Sequence, residues 1–152
     1  MRREILFRGQ TRKTGEKVYM DGRKVPGNWV YGGICYGKGD FSIVYATMGE
    51  EKEIPVEKHV VYTETVGQYT GLKDKNGKMI FEGDIVIYDN TPYNVYSTPK
   101  TGVIVWRKNA FRLKYREYET CWYFDLGSDD FFGAKCEVLG NIHDNPELLE
   151  AE

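Results

Sequence analysis

Residues 65–86, TVGQYTGLKDKNGKMIFEGDIV, decide the fold class. A β pattern beginning at His59 runs into Gly67-Gln68-Tyr69. Asp74-Lys75-Asn76-Gly77 then reads as a tight turn, because Asn and Gly tolerate the positive φ that such a turn demands. Residues 78–81 form the returning strand and Gly83-Asp84 is a second break. A third run, residues 85–88, follows at once. Short apolar runs punctuated by Gly, Asn and Asp are the signature of a β-protein, and no helical period competes with them here.

Downstream the rhythm continues. TGVIVWR (residues 101–107) is a strand, and residues 110–115 pair back on it across Lys108-Asn109. Residues 122–126 and 137–141 complete the set, separated by the turn-rich Gly127-Ser128-Asp129-Asp130. Residues 90–100, bracketed by Pro92 and Pro99, read as a long loop, and such loops on a rigid scaffold often carry binding. Only the end has helical character. Asn145 suits an N-cap, Pro146 the first helical position and Glu147 the positive end of a short helix.

Upstream the pattern is two hairpins. Residues 4–8 read as a strand, Thr14-Gly15 as a hairpin tip, and residues 17–20 as the return, closed by Asp21-Gly22. Residues 29–36 and 41–47 form the second hairpin around Gly37-Lys38-Gly39-Asp40. Phe41, Ile43 and Tyr45 alternate with Ser42, Val44 and Ala46, which puts apolar weight on both faces of that strand. Pro55 confines any strand beside it to an edge. The expectation is a mainly β (β-rich α+β) protein. An N-terminal hairpin sheet (residues 1–64) packs on a small SH3-like or OB-like barrel (residues 65–152) that ends in one short helix.

Composition agrees with this reading. The chain has 152 residues, enough to bury a real core. Its 12 Tyr, 7 Phe and 17 Gly favour pleated, half-buried strands joined by tight turns. A net charge of -2 does not mark an electrostatically driven nucleic-acid binder. The charge is unevenly spread, however. Residues 1–24 carry eight basic and three acidic side chains, whereas residues 61–152 carry ten basic and fifteen acidic. Such opposition suits a basic docking surface or head-to-tail association of copies, and it is also what a solvated hairpin that happens to be basic would give. Cys35, Cys121 and Cys136 form no paired spacing, which fits a reducing, cytoplasmic setting, and both Cys121 and Cys136 read as packed core thiols. No apolar run reaches the length of a signal core or a membrane helix, so no membrane partner is expected.

Chemistry is sparse. His59 and His143 lie far apart, outside any nucleophile motif. Asp125, Asp129, Asp130 and Asp144 lack the ordered spacing of a calcium loop, so DLGSDD reads as a turn, and no metal is expected. Glu82 and Asp84 flank Gly83, where Asp84 is expected to bond nearby backbone amides rather than act as an acid or base. Neither a dinucleotide nor a phosphate-loop motif is present, and no cofactor is implied. The sequence does not read as an enzyme. One cluster suits nucleic acid: Trp106, Arg107, Lys108, Lys114 and Arg116, with Arg112, Tyr115 and Tyr118 interleaved and Tyr88, Tyr93 and Tyr96 as possible extensions. Aromatic groups stack bases while cations track the backbone.

The central block, EVLGNI followed by NPELL at residues 137–149, and the opening REILFR (residues 3–8) together resemble the YopX family of phage and prophage proteins. Leu6 stands where a lysine is common in that family. The resemblance implies a β-dominated phage accessory protein with no assigned activity, so no catalytic residues carry over. The reading that follows is a cytoplasmic protein acting by protein–protein interaction or self-assembly. Its partners would be its own copies, or a host or phage protein; nucleic-acid binding is the alternative.

Overall fold

The computed structural model describes residues 4–11, 18–20, 23–25, 29–46 and 56–150. The expected hairpin tip at Thr14-Gly15 and the Asp21-Gly22 turn lie outside the described residues. The chain forms two compact units, Met1–Gln68 and Tyr69–Glu152.

In the first unit, β1 (Phe7–Gln10) pairs antiparallel with β4 (Trp29–Gly37), which pairs with β5 (Asp40–Ala46), which pairs with β6 (Val56–Val60). β2 (Val18–Met20) and β3 (Arg23–Val25) form a separate ribbon. The β4–β5 turn is closed by Lys38 and Gly39, at φ 54° and 81°. Two consecutive positive φ values give a turn whose twist matches the strands it joins. Val30, Ile43 and Val61 are fully buried and form the core, with Phe7, Tyr31, Phe41 and Val66 around them. Arg8 is buried with its guanidinium 4.6 Å from the Trp29 ring centre. β6 follows Pro55 and ends its sheet, as a proline-flanked strand should. Beyond it the expected continuation to residue 65 gives way to a single 3-10 turn, Thr63–Thr65. There the Thr65 hydroxyl donates to the Tyr62 carbonyl (2.6 Å) and accepts from the Gln10 N–H (2.8 Å).

β7 (Gly67–Lys73) begins where Gly67 pairs with Arg8, and in the second unit its Tyr69 pairs with Phe81 of β8 (Met79–Phe81). The second unit is built around a five-stranded antiparallel sheet. Its members are β9 (Asp84–Tyr88), β10 (Lys100–Arg107), β11 (Ala110–Glu117), β12 (Thr120–Asp125) and β13 (Cys136–Asn141), ordered β12-β11-β10-β9-β13.

Side chains alternate across a strand. The register therefore places Val86, Ile104, Leu113, Phe124 and Val138 on one face. Ile80, Leu126, Phe132 and Cys136 pack with them to form the core. Fully burying one such aliphatic or aromatic side chain contributes about 1.5–3 kcal/mol.

Two expectations are corrected. The sheet does not close into an SH3-like or OB-like barrel, since β12 and β13 are its two ends and do not pair. Closure is unnecessary at the β13 end, because the 74–77 turn already occupies that edge. The Lys75 N–H donates to the Cys136 carbonyl (3.0 Å), and the Val138 N–H donates to Asp74 Oδ2 (2.9 Å). Nor is there a closing α-helix among the described residues. Pro146–Leu149 is a four-residue 3-10 turn. Asn145 does not cap it through its side chain; its Oδ1 instead accepts from the Asn141 N–H at 3.3 Å.

The 65–86 block serves architecture throughout. Asp74 Oδ1 accepts from the N–H groups of Asn76 and Lys78, both at 2.9 Å, which shapes the turn that Gly77 completes at φ 78°. Asp84 is buried and accepts the Phe81 N–H at 2.8 Å, as expected of a strand-entry carboxylate. Between them Gly83 sits at φ 90°, where a side chain would be strained. Its N–H donates to the Ile104 carbonyl of β10 and its carbonyl accepts from the N–H of Ile142, just after β13, so the break is tied to the strands on both sides of β9.

Candidate functional site

The second face of the β10–β11–β12 meander carries the cations. Two tight turns fix its register. Lys108 and Asn109, at φ 48° and 63°, join β10 to β11, so Arg107 sits opposite Ala110. Tyr118 and Glu119 join β11 to β12, so Glu117 sits opposite Thr120. From these anchors the pairing is forced. Val105 faces Arg112, Val103 faces Lys114, and on the other side Arg112 faces Asp125, Lys114 faces Tyr123 and Arg116 faces Cys121. Arg107, Arg112, Lys114 and Arg116 therefore share one face with Tyr123, and Asp125 is the one carboxylate among these three strands on it.

This face has internal order. The Arg107 guanidinium stacks 3.8 Å from the Tyr123 ring centre. The stack pre-organises a planar cation over a ring that is 37% exposed. Arg112 is committed to structure: its guanidinium donates to the Arg107 and Lys108 carbonyls and pairs with Asp125 at 3.6 Å. Arg107 and Arg116 are exposed, and Lys114 is half-buried between Val103 and Tyr123.

Of the five residues that the sequence groups together, the structure brings three onto one face: Arg107, Lys114 and Arg116. Trp106 points to the opposite face, where it is 53% exposed and meets Phe111 edge-on at 4.9 Å. Lys108 lies in the turn. Tyr115 shares the core face, with the Lys100 ammonium 5.7 Å from its ring centre, and Tyr118 projects from the second turn. Tyr88 also turns away, donating to Asp129. The aromatic residue that does join the cations, Tyr123, was missed, although counting back from the Tyr118-Glu119 turn places it opposite Lys114.

A second polar cluster is already satisfied. Asp129 Oδ2 accepts from the Tyr88 hydroxyl at 2.7 Å and from the Lys135 ammonium at 3.0 Å, and Oδ1 accepts the Phe131 N–H at 2.9 Å. Burial alone would raise the Asp129 carboxyl, but these hydrogen bonds and the Lys135 charge outweigh it and hold the group below the usual range. Burial and the same carboxylate drive the Tyr88 phenol upward. Lys135 also lies 4.9 Å from the Tyr93 ring centre.

The 89–99 loop is built from local turns. Asp89 accepts from both the hydroxyl and the N–H of Thr91, which lowers its carboxyl, and Asn94 Oδ1 accepts the Tyr96 N–H. Tyr96 is 94% exposed at its tip.

The remaining candidates fall into place as structure. Asp125 accepts the Gly127 N–H and starts a 3-10 turn, and Asp144 accepts from the Asn141 side chain. Among the described residues no group of three or more His, Cys, Asp or Glu is placed to hold a metal ion. His59 belongs to the first unit and His143 to the second. Cys136 is buried, and burial with the charges of Asp74 and Asp84 pushes its thiol up to about 12. Cys121, expected in a core, is exposed on the second face of the meander. Among the described residues no helix is long and apolar enough to cross a membrane.

The family model described as YopX protein matches residues 27–150. The chain belongs to the YopX family. That assignment agrees with the resemblance of the 65–86 and 137–149 blocks, and it identifies a phage or prophage protein without defining its molecular mechanism. Among solved structures, the chain is similar to one described as the crystal structure of protein EF1440 from Enterococcus faecalis. The identity is 26% and the TM-score 0.38, over 70% of this chain and 86% of that one. Comparison with curated proteins returned no match. In this YopX chain, the family blocks build turns and ladders. The cationic face lies on the strands between them.

Proposed function

We propose that this YopX-family protein is a phage accessory protein of the host cytoplasm whose action is binding, and that its ligand is single-stranded nucleic acid laid across β10–β12. The observation that carries this reading is the placement of Arg107, Lys114 and Arg116 on one sheet face with the Arg107–Tyr123 stack. This antiparallel face supplies what a single strand needs: cations spaced along a backbone path and an arginine–tyrosine stack against which a base can pack. The overall charge of -2 is no obstacle, because attraction is local at distances near the Debye length of about 8 Å.

Fluorescence anisotropy with a labelled single-stranded oligonucleotide tests this. Binding is expected to weaken as salt rises. The Arg107→Ala/Lys114→Ala/Arg116→Ala variant should bind more weakly and flatten the log–log salt slope by about 2, at about 0.7 for each phosphate no longer neutralised. Lys100→Ala, which removes a cation on the opposite face, should leave binding unchanged. No binding at low salt would refute the reading.

A further inference from the structure

We infer that β12 is a dimerisation edge, pairing antiparallel with β12 of a second copy about a two-fold axis through Trp122. This goes beyond nucleic-acid binding and does not depend on it.

A sheet edge is a row of unpaired N–H and C=O groups, and proteins protect such rows with proline, lysine, bulges or a covering segment. Two other ends in this protein are protected. β6 follows Pro55 and carries Lys58, and the outer edge of β13 is bonded to Asp74 and Lys75. β12 has none of these devices. Its sequence, TCWYFD, holds no proline and no lysine, its register against β11 is unbroken, and Thr120, Cys121, Trp122 and Tyr123 are all exposed. Among the described residues no strand pairs with its outer side.

The geometry also specifies the partner. In a two-residue hairpin the residues flanking the turn exchange both hydrogen bonds, and such pairs then alternate along the ladder. Glu117/Thr120 is that flanking pair, so Trp122 and Phe124 also bond inward to β11, while Cys121, Tyr123 and Asp125 direct their N–H and C=O groups outward. The Asp125 carbonyl is already taken by the Ser128 hydroxyl at 2.6 Å. Cys121 and Tyr123 remain, placed symmetrically about Trp122.

A two-fold axis at Trp122 sets each Cys121 opposite the Tyr123 of the second copy. All outward groups of those residues are then paired, and a small side chain faces a large one on that face. On the opposite face the two Trp122 side chains, each 51% exposed, meet across the axis. Cross-strand aromatic pairs of this kind stabilise sheets. The strand has no charge from Thr120 to Phe124 to oppose this pairing. The two five-stranded sheets become one, and the Arg107, Lys114 and Arg116 faces of both copies lie on the same side of it.

Light scattering of the unmodified protein near 100 μM, without nucleic acid, should give the mass of a dimer; a monomer mass would overturn the inference. The register is tested by cross-linking in a Cys35→Ser/Cys121→Ser background. Trp122→Cys should form a disulfide-linked dimer on mild oxidation, since directly opposed residues bring their Cα atoms within bridging distance, about 4.4–6.8 Å. Tyr123→Cys in the same background should not link, because its own counterpart is displaced along the strand. A dimer in which Tyr123→Cys links as readily as Trp122→Cys, or in which Trp122→Cys does not link, would show that this edge and register are wrong.

Discussion

Replacing Asp74 with alanine should unfold the second unit more readily than any comparable surface change. The carboxylate is buried, and it accepts three backbone N–H groups: those of Asn76 and Lys78 within its own turn and that of Val138 on β13. Hydrogen bonds to a charged acceptor are worth about 1.5–3 kcal/mol each when nothing replaces them. Asn76 and Lys78 are exposed, so water recovers much of their loss, and about 0.5–1 kcal/mol remains for each. Val138 is more enclosed and keeps about 1–2 kcal/mol of its penalty. The total is about 3 kcal/mol, against a whole-domain stability on the order of 5–15 kcal/mol.

With a urea m-value of about 1–1.5 kcal/mol/M for a unit of this size, the midpoint should fall by about 2–3 M. Asp74→Asn isolates the long-range bond. Its carbonyl can still serve the turn, but its amide presents a donor to the Val138 N–H, and about half the loss should persist. Lys75→Ala is the control, since its 3.1 Å pair with Glu137 is half-exposed and such a pair contributes less than about 1 kcal/mol. Urea titration followed by far-UV circular dichroism measures all three. If Asp74→Ala shifts the midpoint no more than Lys75→Ala does, the carboxylate does not fasten the turn to β13.

Two further outcomes follow from titrating groups. Asp129 has a folded-state value below the ordinary carboxylate value of about 4, so its stabilising contribution is complete above that pH and disappears as pH falls through the depressed value. Asp129→Asn should therefore lower stability at neutral pH and flatten the acid limb, seen by comparing urea midpoints at about pH 6 and about pH 3; an unchanged acid limb would contradict this. In the native protein, the exposed Cys35 should react promptly with a thiol reagent at neutral pH, while Cys136, its thiol pushed up to about 12, waits for unfolding. A native count of three fast thiols would be the contrary result.

Local signals in the sequence located most strands well, because their turns depend on one or two residues. Gly77, Gly83 and the Lys38-Gly39 pair adopt the positive φ expected at breaks. Lys108-Asn109 does the same without glycine, and the strand on either side was still legible from alternation. Long-range pairing was not legible. Whether a sheet closes depends on what meets its last strand. Nothing near residue 136 reveals that Asp74, sixty-four positions before Val138, already bonds there. The candidate site failed in part for a simpler reason. Trp106 and Arg107 are adjacent in sequence and so point to opposite faces, whereas Tyr123 joins Arg107 only through the register of two turns. Sequence proximity suggested a cluster that the alternation of a β-strand divides.

The position of β13 has a consequence for how this protein is made. β9 lies between β10 and β13, and its Ile85 and Val86 are fully buried in the finished sheet. During synthesis β10 can pair with β9 as soon as both have emerged, but residues 136–141 follow only after β11 and β12. Until they do, one side of β9 is an open apolar edge, and the Asp74 carboxylate lacks its Val138 partner. Pairings this distant in sequence make folding slow and expose the nascent chain to aggregation. The second unit therefore completes its sheet only once residues 136–141 have emerged, and a ribosome stalled before residue 136 would release a chain that cannot complete it.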